Sequence, residues 1–270
     1  MILAIDIGGT KTLVAGCDAK TGKITSESRF ATPQLYKDFL SELANNVAKI
    51  TTEFTEVVVA VPAKLDRANG VAIAFGNLKW KNVSIQADIA KITNAPVAIE
   101  NDANLAALSE ANRIQPLPHR ALYITISTGI GCGIIIDGKL DPEFLDSEGG
   151  SMIFEHNGKL QPWEQFASGK AIVAQFGKRA SEIDDPKAWQ QIAQWFAIGI
   201  VDLISVLEPD VIIIGGGVGS HFSKFGEYLH KDVKKLATAM ITIPSIVQAT
   251  APEEAVIYGC ITYAQQHPNS

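Results

Sequence analysis

Two stretches of this chain carry the same pattern, an apolar strand that breaks at glycines and then resumes. The first is Ile2–Cys17, ILAIDIGGTKTLVAGC, and the second is Leu122–Ile136, LYITISTGIGCGIII. Apolar alternation interrupted by a glycine turn reads as strand, tight turn, strand. The first turn holds Asp6, Gly8, Gly9, Thr10 and Lys11. Glycines there permit positive φ and remove the Cβ atoms that would hold a bulky anion away. Backbone N–H groups can then line a concavity that suits phosphate oxygens. Asp6 can hold a hydrated Mg2+, and Lys11 can meet phosphate as a point charge. An ordinary hairpin with a glycine-rich turn fits the same residues.

The elements after each hairpin follow one order. After the first come a strand at Lys23–Phe30 and a helix whose apolar face is Leu35, Phe39, Leu40, Leu43, Val47 and Ile50. A buried strand at Val57–Val61 stops at Pro62, and 63–81 reads as loops with small strands. Ser84 is placed as the N-cap of a helix through Ile92. Val97–Ile99 is the next strand, running into Glu100-Asn101-Asp102 and a helix from Ala103 to about Ala111. Two prolines between Asn112 and His119 mark a boundary, and the pattern restarts. Asp137-Gly138 is a hairpin turn before a short third strand.

An irregular section is expected from Asp141 to about Trp163, then a helix from Phe166 to about Arg179. A long helix follows with Trp189, Ile192, Phe196, Ile200, Leu203 and Leu207 on its apolar face. Val211–Ile214 reads as a buried strand, Gly215–Gly217 as a loop, Ser223–Lys235 as a polar helix and Ser245–Gln248 as a strand. A closing helix is expected over Glu253–Gln265, with a frayed tail from His267 to Ser270. The result is an α/β chain with a duplicated βββαβαβα order, in two lobes with a cleft between them. The boundaries are 1–112, completed by the C-terminal helix at about 253–266, and 113–252.

Composition narrows the function classes. The chain has 270 residues and a net charge of −6, with no basic run, so nucleic acid is not an expected partner. Cys17, Cys132 and Cys260 sit far apart in apolar segments without metal-ligand spacing, which reads as small buried hydrophobes in a reducing compartment. The most apolar long run, Ile192–Leu207, contains Gln194 and Asp202 and is too short to span a bilayer. No signal peptide precedes the first strand, so a soluble, cytoplasmic protein that does not engage membranes is expected.

Taken together, the motifs resemble the ROK family, within the sugar kinase/actin/heat-shock-70 superfamily, over nearly the whole chain. Ile5–Lys11 resembles the family's first phosphate motif, and Glu100–Asn104 its acceptor and catalytic motif. Ser127–Gly133 resembles the second phosphate loop, and Ile214–Val218 the nucleotide loop that follows a strand. Ala167-Ser168-Gly169, just after Glu164, also resembles the family.

The resemblance implies two ribonuclease H-like lobes, ATP and Mg2+ as cofactors, a homodimer, and phosphorylation of a hexose hydroxyl, glucokinase-type at the 6-OH. It assigns Asp6, Gly8, Gly9, Thr10, Lys11, Thr128, Gly129, Gly131, Gly215, Gly216 and Gly217 to the nucleotide, with Asp6 reaching Mg2+ through water. It assigns Asn77, Asn101, Asp102, Glu148, Ser151 and Glu164 to the sugar. By position alone Asp102, between a strand and a helix, reads as a helix N-cap before it reads as a general base. The resemblance makes it the base. Glu100 faces away by strand alternation.

The acceptor segment departs from the family pattern. Ser151 stands where the family has a histidine, and no cysteine lies between Ile136 and Cys260, so the family's zinc site is not expected. His156 alone reads as a surface residue. This departure keeps three alternatives open: an inactive sugar-binding regulator, a kinase for an amino sugar, and a kinase using polyphosphate. The family's repressors carry a helix-turn-helix ahead of this region, and a first strand at residue 2 is read as leaving no room for one.

Overall fold

The computed structural model describes residues 1–50, 53–252 and 254–267. It divides into two compact units, Met1–Ser109 with Glu254–Ser270, and Glu110–Glu253. The positions given to Glu253 and to the tail beyond His267 lie outside the described residues.

In the first unit, β1 (Ile2–Ile7), β2 (Lys11–Cys17) and β3 (Ile24–Ala31) form an antiparallel meander. Helix α1 (Tyr36–Val47) leads to β4 (Glu56–Val61), which pairs parallel with β1. A separate antiparallel sheet follows, made of β5 (Ala63–Asp66), β6 (Val71–Phe75) and β7 (Lys81–Val83). Then come α2 (Ile85–Thr93), β8 (Val97–Asn101) and α3 (Asp102–Asn112), giving the main sheet the order β3-β2-β1-β4-β8.

Strand alternation sorts this sheet's side chains by size. Leu3, Ile5, Ile7, Val57, Val59 and Val61 share one core with Phe39 and Leu43 of α1 and with Ile85 and Ile89 of α2. Ala4, Ala15, Val58, Ala60 and Ala98 belong to a second core with Leu105 of α3 and Ile257, Cys260, Ile261 and Ala264 of the C-terminal helix, Ala255–Gln266. The small residues bring helices close. A Cβ added at Gly259 of the C-terminal helix would collide with the Leu105 carbonyl. Trp80 is a core residue, its indole N–H donating to Gln34 O at 3.1 Å. Ser84 stands at the N-cap of α2, as expected, but its side chain makes no cap bond.

The second unit repeats the opening with β9 (Arg120–Ile126), β10 (Ile130–Ile136) and the two-residue β11 (Lys139–Leu140). Its turn at Asp137-Gly138 has positive φ at both residues, as a tight hairpin requires. The segment expected to be irregular is ordered. It contains a 3-10 turn at Gly149–Ser151 and a hairpin of β12 (Ile153–His156) and β13 (Lys159–Pro162). Asn157-Gly158 turns this hairpin with φ of 53° and 76°.

The single helix expected after it is two, α4 (Trp163–Ala167) and α5 (Gly169–Phe176). Ser168 between them is extended and its Oγ accepts from Ala171 N at 3.3 Å, so a serine cap breaks the helix. Helix α6 (Pro186–Leu207) is followed by β14 (Val211–Gly215), the one-turn α7 (Gly216–Gly219), α8 (Phe222–Leu236) and β15 (Ser245–Gln248). The sheet order is β11-β10-β9-β14-β15. By length and composition α6 is apolar enough to cross a membrane, and its 22 residues exceed the run expected from sequence. More than half of it is buried in this unit's core, where Trp163 stacks on Gly199 and donates to Trp195 O at 2.9 Å.

Candidate active site

The first hairpin turn is held from behind. Gly8 N donates to Lys11 O at 3.0 Å, and Thr32 ties the turn down through Gly8 O at 2.7 Å and Thr12 Oγ1 at 2.9 Å. Neither Gly8 nor Gly9 has positive φ, so the conformational reason expected for them does not apply. Their reason is space. A Cβ on Gly9 would lie 2.8 Å from Asn77 Cβ, so this glycine lets Asn77 rest against the turn. Thr10 and Lys11 are exposed at its tip.

Asp6, at the end of β1, has its pKa pushed up to about 7. Burial is the largest cause, the nearby charge of Asp102 adds to it, and Lys11 offsets part. Asp102 is the first residue of α3, and burial raises its pKa as well, against a lowering bond from Ala103 N. The cap of α3 is its neighbour. Asn101 Oδ1 accepts from Ala103 N at 2.8 Å and from Asn104 N at 3.3 Å. Asp102 Oδ1 shares the Ala103 N–H at 2.9 Å.

Glu100 faces away from these groups, as strand alternation requires. It is 2% exposed and receives Arg67 Nε at 2.8 Å, Asn104 Nδ2 at 3.0 Å and its own neighbour's Asn101 N at 2.6 Å. Arg67 and Asn104 therefore hold the backbone from which Asn101 and Asp102 project. Sequence reading missed both. Asn104 lies one turn of helix after Glu100, a findable spacing, whereas Arg67 is 33 residues away with no local signal.

In the second unit Glu164 Oε2 accepts from Ile130 N at 3.3 Å. It sits 2.6 Å from where a Cβ on Gly129 would be. Gly129 thus admits a carboxylate onto the second hairpin. Thr128 is exposed at that hairpin's turn, with Gly131 two residues into β10. The N-terminus of α5 docks on the same turn, Gly169 N donating to Ser127 O at 2.7 Å.

Glu148 and Ser151 frame the 3-10 turn, closed by Ser151 N to Glu148 O at 3.0 Å, and both are exposed. Trp163 N donates to Met152 O at 2.8 Å, so the base of the β12–β13 hairpin fixes the spacing of this turn and α4, which carries Glu164. His156 is partly exposed, but it is not a loose surface side chain. It stacks on Phe166 with ring centroids 4.3 Å apart and meets Trp195 edge-on at 6.1 Å. Among the described residues no group of three or more His, Cys, Asp or Glu is set to hold a metal ion.

The third glycine stretch divides by residue. A Cβ on Gly215 would strike the Tyr123 ring and hydroxyl, and one on Gly216, at φ 80°, would strike Ile126 O and Thr125 Oγ1. Only Gly217 faces open space. Instead of an open loop, Gly216–Gly219 is a single helical turn.

The geometry belongs with a known group of proteins. The ROK family pattern matches residues 2–267. An N-acetylmannosamine kinase of Pasteurella multocida is 30% identical over 247 residues, covering 80% of this chain and 81% of that protein. A glucokinase of Streptomyces coelicolor is 26% identical over 278 residues, covering 87% of each. A solved ROK glucokinase from Streptomyces griseus, in complex with glucose and AMPPNP, shares the fold with TM-score 0.85 and 24% identity, over 98% of this chain and 99% of that one. The chain belongs to the ROK family.

Proposed function

We propose that this protein is a hexose kinase that transfers the γ-phosphoryl group of ATP to a sugar hydroxyl, glucokinase-type at the 6-OH. The observation that carries the reading is the setting of Asp102. Its neighbour Asn101 caps α3, its partner Asp6 is a second carboxylate, and burial raises its pKa toward a better base. In the reaction the sugar oxygen attacks the γ-phosphorus while the bond to the bridging oxygen breaks. ADP leaves with that electron pair, and Asp102 accepts the hydroxyl proton.

Asn101 offers the sugar its amide N–H, because its oxygen is committed to the cap. Glu148 and Glu164 are suited to accept from sugar hydroxyls. The exposed tips, Thr10 and Lys11 in one unit and Thr128 and Gly217 in the other, are the groups suited to phosphate and nucleotide.

Magnesium fits the residues present. Asp6 is burdened by burial and by the charge of Asp102, a setting that a divalent cation relieves. Asp6 would hold it through water, and the ion would neutralise charge on the donor phosphates.

The likeness to an N-acetylmannosamine kinase of P. multocida and a glucokinase of S. coelicolor supports a hexose or amino sugar as this chain's acceptor. A coupled ADP-release assay with glucose, mannose, fructose, N-acetylglucosamine and N-acetylmannosamine tests the reading, with ATP and polyphosphate as parallel donors. Sugar-dependent turnover supports it, and no turnover with either donor sinks it. Ser151, in place of the family's histidine, supports a second reading as a regulatory sugar binder. Calorimetry showing tight sugar binding without turnover would favour that one.

A further inference from the structure

The thiol of Cys132 is absorbed by none of the roles above, yet it touches the acceptor segment on both sides of Glu148. Gly149 N donates to Cys132 Sγ at 3.2 Å, and the thiol donates to Ser147 O at 3.5 Å. The backbone groups flanking Glu148 therefore close on one sulfur atom. The approach is tight, since a Cβ on Gly149 would lie 3.0 Å from that sulfur. At Gly150 a Cβ would collide with Ile130 O, so the turn lies directly on β10.

The same segment borders open space. A cavity of about 480 Å3 is lined by Cys132, Ser147, Glu148 and Met152 together with Asp202 and Leu203 of α6. The face toward the cavity lacks packing partners, so the turn is held from the β10 side, where Cys132 and Ile130 meet it. Burial, the largest cause, pushes the thiol pKa up to about 11, and the charge of Glu148 adds to this. The S–H donor is therefore present throughout the physiological range.

We propose that Cys132 is a positioning residue that fixes Glu148 for the acceptor sugar by bracketing it through Ser147 and Gly149. The proposal rests on the hexose-kinase reading and deepens it. It ties both acceptor residues to the first three residues of β10, the Glu164 carboxylate through Ile130 N and the backbone on either side of Glu148 through Cys132 Sγ. The strand that leaves the second glycine turn thereby sets the acceptor site.

The test compares Cys132→Ala, which removes both bonds, with Cys132→Ser, whose shorter hydroxyl restores a donor and an acceptor in part. The expected result for Cys132→Ala is a hexose KM raised about tenfold, with the ATP KM unchanged and kcat within about twofold. Cys132→Ser should recover part of the loss. Hydrogen exchange should show faster exchange at the Gly149 amide in Cys132→Ala, with global unfolding little altered. An unchanged hexose KM, or an ATP KM that rises equally, overturns the proposal. If the wild-type protein turns over no hexose, the kinase reading fails by itself. Calorimetric hexose affinity then decides, and equal affinities for the wild-type protein and Cys132→Ala, including no binding by either, overturn the proposal.

Discussion

The two glycine hairpins share a backbone plan and treat negative charge in opposite ways. Beside the first, Asp6 is destabilised as an anion by burial and by Asp102. On the second, Glu164 lies where a side chain at Gly129 would have been and takes a backbone N–H. One hairpin sets a buried carboxylate beside a second one, and the other docks a carboxylate on a backbone N–H. The pattern of strand, glycines and strand therefore specifies a surface, and the neighbouring residues decide whether it serves reactivity or placement. Glu100 sharpens the contrast from inside the first unit. It lies two residues from Asp102, yet Arg67, Asn104 and Asn101 satisfy it.

The largest effect should come from the side of the paired carboxylates. Asp102→Asn removes the proposed proton acceptor while keeping the shape, and kcat should fall about a thousandfold with little change in thermal stability. A variant with near-wild-type kcat would remove Asp102 from the role of base. Next is Arg67→Ala, which strands Glu100 as a buried charge. Denaturant unfolding should show a loss of about 3 kcal/mol. A loss within ordinary surface scatter would mean the pair does not hold the strand end.

The hairpins themselves are separated by paired alanines. Gly9→Ala meets Asn77 Cβ, which cannot swing away, so it should cost about 2 kcal/mol of stability. Gly129→Ala meets the end of the Glu164 side chain, which can move. It should leave stability nearly unchanged and raise the hexose KM about tenfold. Equal behaviour of the two alanines would erase the distinction.

The last test is a pH slope, which appears only as a difference between two melting profiles. Asp6 keeps its proton to about pH 7 in the folded state, against a reference of 3.8. Between these values the native protein binds more protons than the unfolded chain, so this group's stabilisation is complete below the lower value and lost as pH rises through the upper. Subtracting the melting profile of Asp6→Asn from that of the wild type should reveal a decline from pH 4 to 7. A flat difference would place the carboxylate in an ordinary setting.

Much of this was legible in the residues. The hairpins, the buried strands and the position of Asp102 follow from alternation, glycine and the strand-to-helix step. The purpose of the glycines was not legible, because Asn77 meets Gly9 and Glu164 meets Gly129 only through tertiary packing. The β12–β13 hairpin was also overlooked. Its Asn157-Gly158 turn is a strong signal, but Ile153 and Leu160 beside it are exposed, so the strands lack a clean apolar face. The break at Ser168 competes with apolar spacing that continues from Phe166 to Ile172, and a capping hydroxyl wins. Arg67 illustrates the general limit, since an ion pair spanning 33 residues leaves no periodic trace.

The C-terminal helix carries a consequence for how the protein is made. It supplies Ile257, Cys260, Ile261 and Ala264 to the core that covers the small-residue face of the first sheet. The second unit is continuous in sequence, while the first must wait for this helix. During synthesis, we infer, the half that emerges first is completed last, and its alanine-lined face stays open to solvent or chaperones until the end. Protease protection of nascent chains of increasing length reads that order, and protection of the first sheet before residue 255 has emerged would reverse it. A stop codon just ahead of Ala255 would thus damage the unit made earlier while leaving the one made later whole.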